Sequence, residues 1–252
     1  MHQVSTIQFS EQAIADLLEI GLEVGDGQLL AADFESINLF SHRPVLVVIG
    51  GASQLSDDIF SQIQGFFVQV LAPIAERLQA IVVDGGTDAG VMRLMGQARA
   101  QIAGTFPLVG VAPRSLVMLP NESALTDHQT ALEPNHTHFI LVPGEEWGDE
   151  SMALAQVATG LAAGSPTIAV MLNGGAITWL DAINNVGEGR SLVVMNGTGR
   201  AADELAAVVR GAVGSEQAQA IVKTGLVTVV DLTTRPELIV QQLEAILTMG
   251  KL

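Results

Sequence analysis

Four glycine-rich segments stand where this sequence could hold a ligand, each directly after a short apolar run. Gly50-Gly51-Ala52-Ser53 follows Val45–Ile49, and Asn173-Gly174-Gly175 follows Thr167–Leu172. Asp84-Gly85-Gly86-Thr87-Asp88-Ala89-Gly90 follows Ile81–Val83 and leads into Val91 and Met92. Asn196-Gly197-Thr198-Gly199-Arg200 follows Leu192–Met195. Glycine lets a backbone approach a ligand closely, and N–H groups at the start of a helix bind anions without side-chain charge. One such turn is a tight connection; four after equivalent runs point to a phosphate site, with Thr87 and Thr198 adding hydroxyl donors.

Arg200 is the most informative charge. At a helix start a cation meets the unfavourable end of the dipole, a cost that a shared phosphate offsets through bidentate contact. The competing reading is an ion pair with Asp203 or Glu204. His136 and His138 form an His-x-His pair entering a strand, on one face as metal ligands require. No further ligand falls at metal spacing nearby, so the expectation is no metal and histidines that hydrogen-bond at the cleft or pack structurally. Glu145, Glu146, Asp149 and Glu150 cluster before a helix as N-terminal acids, with Glu150 also able to reach a ribose hydroxyl. No Gly-x-Ser-x-Gly elbow signals a serine nucleophile. Gly197-Thr198-Gly199-Arg200-Ala201-Ala202 fits the dinucleotide pattern G-x-G-x-x-A, which keeps an NAD(P)-binding oxidoreductase as a minor alternative. The motif comes late in the chain, and no proton relay accompanies it.

The elements that position these residues alternate. The apolar runs above, with Leu108–Ala112, Phe139–Val142 and Val227–Leu232, read as buried strands. Between them Asp57–Leu78, Val91–Ala103, Glu150–Ala162, Ile177–Val186, Ala201–Val213 and Pro236–Met249 read as helices, the first kinked or split by Pro73. The pattern predicts an α/β, Rossmann-like doubly wound, mainly parallel sheet with helices on both faces. Ser10-Glu11-Gln12 reads as a helix start, with Ile14, Leu17, Leu18 and Leu22 at helical spacing. Pro113–His138 reads as a long loop. A single domain is expected over residues 1–252, with residues 1–42 as an N-terminal extension packing on it.

Composition narrows the partners. The 252 residues carry a formal charge of −16 with two lysines, Lys223 and Lys251, which leaves no broad basic face for nucleic acid or anionic membranes. No apolar stretch reaches the roughly 18 residues of a membrane helix, and no signal peptide is evident. The sequence has no cysteine, which removes disulfides, thiolate nucleophiles and Cys-based metal sites. A cytoplasmic protein is the simplest expectation.

Together these residues carry a resemblance. Val45–Ser53, Gly85-Gly86-Thr87-Asp88-Ala89-Gly90-Val91-Met92, Val109-Gly110-Val111-Ala112-Pro113, Asn135-His136-Thr137-His138-Phe139-Ile140-Leu141-Val142 and Gly197-Thr198-Gly199-Arg200-Ala201-Ala202-Asp203 occur in the order seen in the SLOG superfamily. They resemble its LSDAT branch, found at the cytosolic N-terminus of melastatin-type TRP channels and as stand-alone prokaryotic proteins. The resemblance implies a Rossmannoid cleft that senses a nucleotide-derived ligand such as ADP-ribose or an NAD relative, with no required cofactor. By that analogy the Gly85–Met92 turn holds phosphate, Met92 touches the base and Arg200 contacts phosphate. Trp147-Gly148-Asp149-Glu150 aligns with a Tyr-Gly-x-Glu segment of the channels, but the Arg in their following helix falls here on Leu154. A sister branch, the Lonely Guy phosphoribohydrolases, implies an alternative N-glycosidase activity, with Asp203 at that family's catalytic Glu. Sister families commonly form dimers, so a homodimer or higher homo-oligomer is among the expectations. Binding ranks above catalysis because Asp203 is a methylene short and Met195-Asn196 replaces Pro-Gly.

Overall fold

A computed structural model describes residues 2–10, 13–20, 31–51, 56–122 and 129–249 of the chain. In chain order the first elements are β1 (Gln3–Gln8), β2 (Ile14–Glu19), α1 (Ala31–Glu35), β3 (Val45–Gly50), α2 (Asp57–Phe66), α3 (Ala72–Leu78), β4 (Ile81–Asp84) and α4 (Gly90–Gln101). Next come β5 (Leu108–Pro113), β6 (Val117–Met118), β7 (Thr130–Ala131), β8 (His138–Val142), α5 (Ser151–Ala162) and β9 (Thr167–Leu172). The chain continues through α6 (Ala176–Gly187), β10 (Ser191–Asn196), α7 (Arg200–Val209), α8 (Glu216–Lys223), β11 (Val227–Asp231) and α9 (Pro236–Met249).

The main sheet has the order β1-β2-β8-β5-β4-β3-β9-β10-β11. Every neighbouring pair is parallel except β1 with β2. Alternate side chains of the buried strands serve two cores, as a pleated strand dictates. Val45, Val47 and Ile49 pack with α5, α6 and α7, while Leu46 and Val48 pack with α2, α3, α4 and α9. The result is a three-layer α/β/α fold of the Rossmann-like class.

From β3 the chain steps outward through β4, β5 and β8, then returns to the other side of β3 with β9 and moves on to β10 and β11. This reversal opens a crevice beyond the carboxyl ends of β3 and β9, where open α/β sheets bind ligands.

The N-terminal helix expectation is corrected. Residues 14–19 form β2, paired antiparallel with β1 and parallel with β8; Glu11, Gln12 and Leu22 lie outside the described residues. Ala15 and Leu17 enter one core and Leu18 another, so the apolar positions serve a strand at the open edge of β8, where tertiary pairing overrides a local helical spacing. The helix around Pro73 is continuous but widened. Residues Phe67–Leu71 form a π-helical turn in which the Ala72 N–H reaches Phe67 O, five residues back. That turn accommodates the missing donor and the ring of Pro73. The helix read as Ala201–Val213 ends at Val209, and the separate α8 was not read. The Pro113–His138 segment contains the β6–β7 pair and a bridge between Thr87 and Leu132. Among the described residues no helix is long and apolar enough to cross a membrane.

Candidate functional site

A cleft of about 420 Å³ occupies the β3/β9 crevice. Gly50 and Gly51 after β3, Gly85, Thr87, Ala89 and Met92 around the β4–α4 turn, and Gly174 and Gly175 after β9 line it, with Arg200 after β10. Trp147, Glu150 and Leu154 on the approach to and first turn of α5, Ile177, Thr178 and Asp181 of α6, and Thr130 of β7 complete much of the wall. The N-terminal ends of α4, α6 and α7 meet here, each contributing a partial positive charge and N–H groups.

Two turns are stitched together to build the electropositive part of the cleft. Asn173 N–H donates to Thr198 Oγ1 at 2.8 Å, the Asn173 side-chain amide donates to Thr198 O at 2.7 Å, and Thr198 O–H donates to Met195 O at 2.7 Å. The backbone is contorted along this seam: φ is +50° at Asn173, +94° at Gly174, +91° at Gly197, +89° at Gly199 and +53° at Arg200. A left-handed Arg is uncommon and costs free energy; such strain gathers at functional sites. Arg200 lies against Gly175, where a Cβ would come within 2.8 Å of Nη2. Absence of a side chain at Gly175 therefore lets the guanidinium cross from one turn to the other. Arg200 is the one cation among the described lining residues.

The wall formed by the start of α5 and by α6 is acidic. The Ser151 hydroxyl donates to Asp181 Oδ1 at 2.6 Å, and Glu150 Oε2 accepts the Gly148 N–H at 2.8 Å. Burial pushes the Asp181 carboxyl up to about 7, aided by the neighbouring Glu150 charge and opposed by the Ser151 hydrogen bond. Burial also raises Glu150. The lining thus holds two kinds of group: glycine turns, helix N-termini and Arg200, and the two carboxyls of Glu150 and Asp181. Leu154, aligned with an Arg of the channels, sits on this wall and makes it apolar at that point.

Gly50, Gly51, Gly85, Thr87, Met92, Glu150, Gly174 and Arg200 of the sequence-predicted residues come together on the cleft. Ala52 and Ser53 lie outside the described residues. Gly86 lies behind the wall: its N–H donates to Asp84 Oδ1 at 2.7 Å, and a Cβ there would stand 2.7 Å from Gly110 Cα. Gly90 opens α4, and Val91 is wholly buried in the core beneath it. Asn196 turns away to Asp231, to which its side-chain amide donates at 2.5 Å. Gly197 and Gly199 shape the turn, and Thr198 is buried with its hydroxyl committed to the stitch.

Two placements correct the expected roles. Asp203 accepts the Gly197 N–H at 2.7 Å and closes its own turn, so it does not line the cleft. Asp181 does, and sequence reading missed it; its signal was an acid one turn after Thr178, on the helix opened by Asn173-Gly174-Gly175. His136 is fully enclosed, not at the cleft surface: Nε2 lies 2.9 Å from Asp84 Oδ1 and Nδ1 2.8 Å from Glu133 Oε2. Despite burial, these carboxylates raise its pKa to about 9, making it an imidazolium. His138 is instead held neutral by burial, its pKa lowered to about 4, and its Nδ1 lies 2.7 Å from Thr137 Oγ1. Among the described residues no three His, Asp or Glu converge on a metal position.

The comparisons with known proteins bear on fold and family. The chain is 25% identical over 199 residues to transient receptor potential cation channel subfamily M member 2 of Mus musculus, covering 65% of the chain and 13% of the channel. It is 23% identical over 253 residues to the Rattus norvegicus channel, covering 82% of the chain and 16% of the channel. The chain thus spans only a small part of these relatives. The X-ray structure of TM1055, a structural-genomics target, superposes with a TM-score of 0.52 at 19% identity, covering 79% of this chain and 98% of that one, a likeness of fold. Residues 43–241, from just before β3 into α9 and so including every turn of the cleft, match the family described as SLOG in TRPM, prokaryote, and the chain belongs to that family.

Proposed function

We propose that the chain binds a nucleotide-derived, phosphate-bearing small molecule, ADP-ribose or an NAD relative, as an intracellular ligand sensor without an obligatory cofactor. The observation that carries the reading is the switch-point cleft whose one side gathers Arg200, the glycine turns and three helix N-termini. The phosphates fit that side, because backbone N–H groups and the guanidinium fork supply donors in a partly enclosed space. The apolar side chains of Met92, Leu154 and Ile177 on the lining suit a base. The carboxyls of Glu150 and Asp181 suit sugar hydroxyls and repel phosphate, giving a ligand one orientation. ADP-ribose, NAD and AMP are expected to raise the melting temperature saturably, and adenosine much less. No stabilisation by any phosphate-bearing compound at about a thousandfold excess over a micromolar dissociation constant, where linkage gives about 4 kcal/mol, would contradict the reading.

One observation favours a second reading, nucleotide N-glycosidase activity. Asp181, whose pKa near 7 allows a proton to be held and released at neutral pH, lines the cleft beside Glu150. A carboxyl poised this way can protonate a departing base while the second carboxylate stabilises oxocarbenium charge. Chromatography of AMP after overnight incubation separates the two readings: free adenine from the wild type but not from Asp181→Asn supports the enzyme, and intact AMP with measured binding supports the sensor.

A further inference from the structure

The buried charge cluster behind the β4–α4 turn is not used by the cleft directly. Asp84 is the last residue of β4, and Gly85 and Thr87, the next and third-next residues of the chain, line the cleft. Gly86 between them gives both backbone groups to the cluster: its N–H donates to Asp84 Oδ1 at 2.7 Å, and its carbonyl accepts the Glu133 N–H at 2.9 Å. The His136 ring joins those two anchors through Nε2 to Asp84 and Nδ1 to Glu133, with all three side chains at most 1% exposed. Glu133 also accepts from Asn135 N–H at 2.9 Å, and it fills the space left by Gly96 of α4, where a Cβ would stand 1.9 Å from Oε2. The ring stacks on Phe139 of β8 at 5.3 Å. The other charged group facing the cluster is Arg99 of α4, which interacts with Glu133 and whose guanidinium donates to Asn135 O and Phe106 O.

We propose that His136 is a positioning residue: as the cation bridging Asp84 and Glu133, it holds Gly86 inward and thereby presents Gly85 and Thr87 to the ligand phosphate. The proposal rests on the reading of the cleft as a phosphate site. Two carboxylates enclosed together without a cation repel each other, and Asp84 Oδ2 is already enclosed with no partner among the described residues. Loss of the imidazolium proton leaves one N–H, so the ring donates to Asp84 or to Glu133 but no longer to both, and the bridge between the end of β4 and the segment that carries Thr130, Leu132 and Glu133 opens at one end. Gly86 then loses one or both of its anchors, and the turn samples forms in which Gly85 and Thr87 no longer match a phosphate.

The test measures ADP-ribose affinity by calorimetry for the wild type and His136→Gln between about pH 7.5 and pH 10, a window in which a bridging imidazolium with a pKa near 9 loses its proton. The expected result is about a tenfold weaker affinity for His136→Gln at the lower pH, in protein that still melts cooperatively. Wild-type affinity falls toward the upper pH by about tenfold more than that of His136→Gln, which keeps only the shallower dependence that Asp181 gives both proteins. Equal affinities at the lower pH, or identical pH profiles, would overturn the proposal. A second measurement, the exchange protection of the Gly86 amide in ligand-free wild type, covers a variant that fails to fold. Protection corrected for intrinsic exchange should drop across the same window; constant protection overturns the clamp. If ADP-ribose and inorganic pyrophosphate both fail to bind the wild type while Gly86 protection still falls, the phosphate reading is what has failed.

Discussion

Arg200 concentrates the account at the residue scale. It is the cation on the described cleft wall, held in a left-handed conformation at φ +53° with its guanidinium against Gly175. Its place on the cleft was legible in the sequence because an Arg in a glycine turn at a helix start is electrostatically out of place. Asp181 was not legible, because its chemistry comes from burial beside Glu150 and not from a motif. It yields a pH prediction with a definite sign. Below about pH 7 Asp181 is neutral; ionisation above that value adds a negative charge next to Glu150 and opposes a bound phosphate, with Arg200 the facing cation. ADP-ribose affinity should therefore rise severalfold from about pH 8 to about pH 6, and Asp181→Asn should remove the slope. A wild-type profile without that slope would contradict the placement. His136 yields a stability prediction in another window. Its folded pKa of about 9 lies above the ordinary 6.5, so its contribution is complete below about pH 6.5 and is lost as pH rises through 9. The linked free energy is roughly 3 kcal/mol. Denaturant melts should show wild-type stability falling across that range more steeply than His136→Gln.

Among the elements, the seven core strands of the parallel sheet and most helices could be read from apolar runs alternating with helical stretches, because runs of four to six apolar residues bounded by glycine or polar turns are too short for buried helices. The β1–β2 hairpin could not be read, since the local spacing of Ile14, Leu17 and Leu18 fits a helix and only the free edge of β8 decides otherwise. Glycines show the same division between signal and meaning. Gly50 has φ +136°, and a Cβ there would lie 1.9 Å from Leu172 O, so Gly50→Ala must displace the β3–β9 junction at the cleft. Its expected cost is about 3 kcal/mol or more in chemical denaturation. Gly65 within α2 has nothing nearer than 3.8 Å to an added Cβ. Gly65→Ala should instead stabilise by about 0.5–1 kcal/mol. Equal effects at the two positions would refute the conformational argument.

The whole molecule sets a net charge of −16 around a cleft with one cation among its described lining residues. On the proposed reading, converging backbone donors and one guanidinium take the place of a basic surface, so affinity for a phosphate-bearing ligand should depend strongly on Arg200. The relation to the channel proteins covers 13% and 16% of their lengths, so it concerns one segment of them. The most direct test is calorimetric titration of wild type and Arg200→Ala with ADP-ribose and with adenosine. The account predicts that Arg200→Ala weakens ADP-ribose by about ten- to a hundredfold, the range of a charge-assisted contact, and leaves adenosine within about twofold. Equal weakening of both compounds, or an unchanged ADP-ribose affinity, would contradict a phosphate site anchored by Arg200.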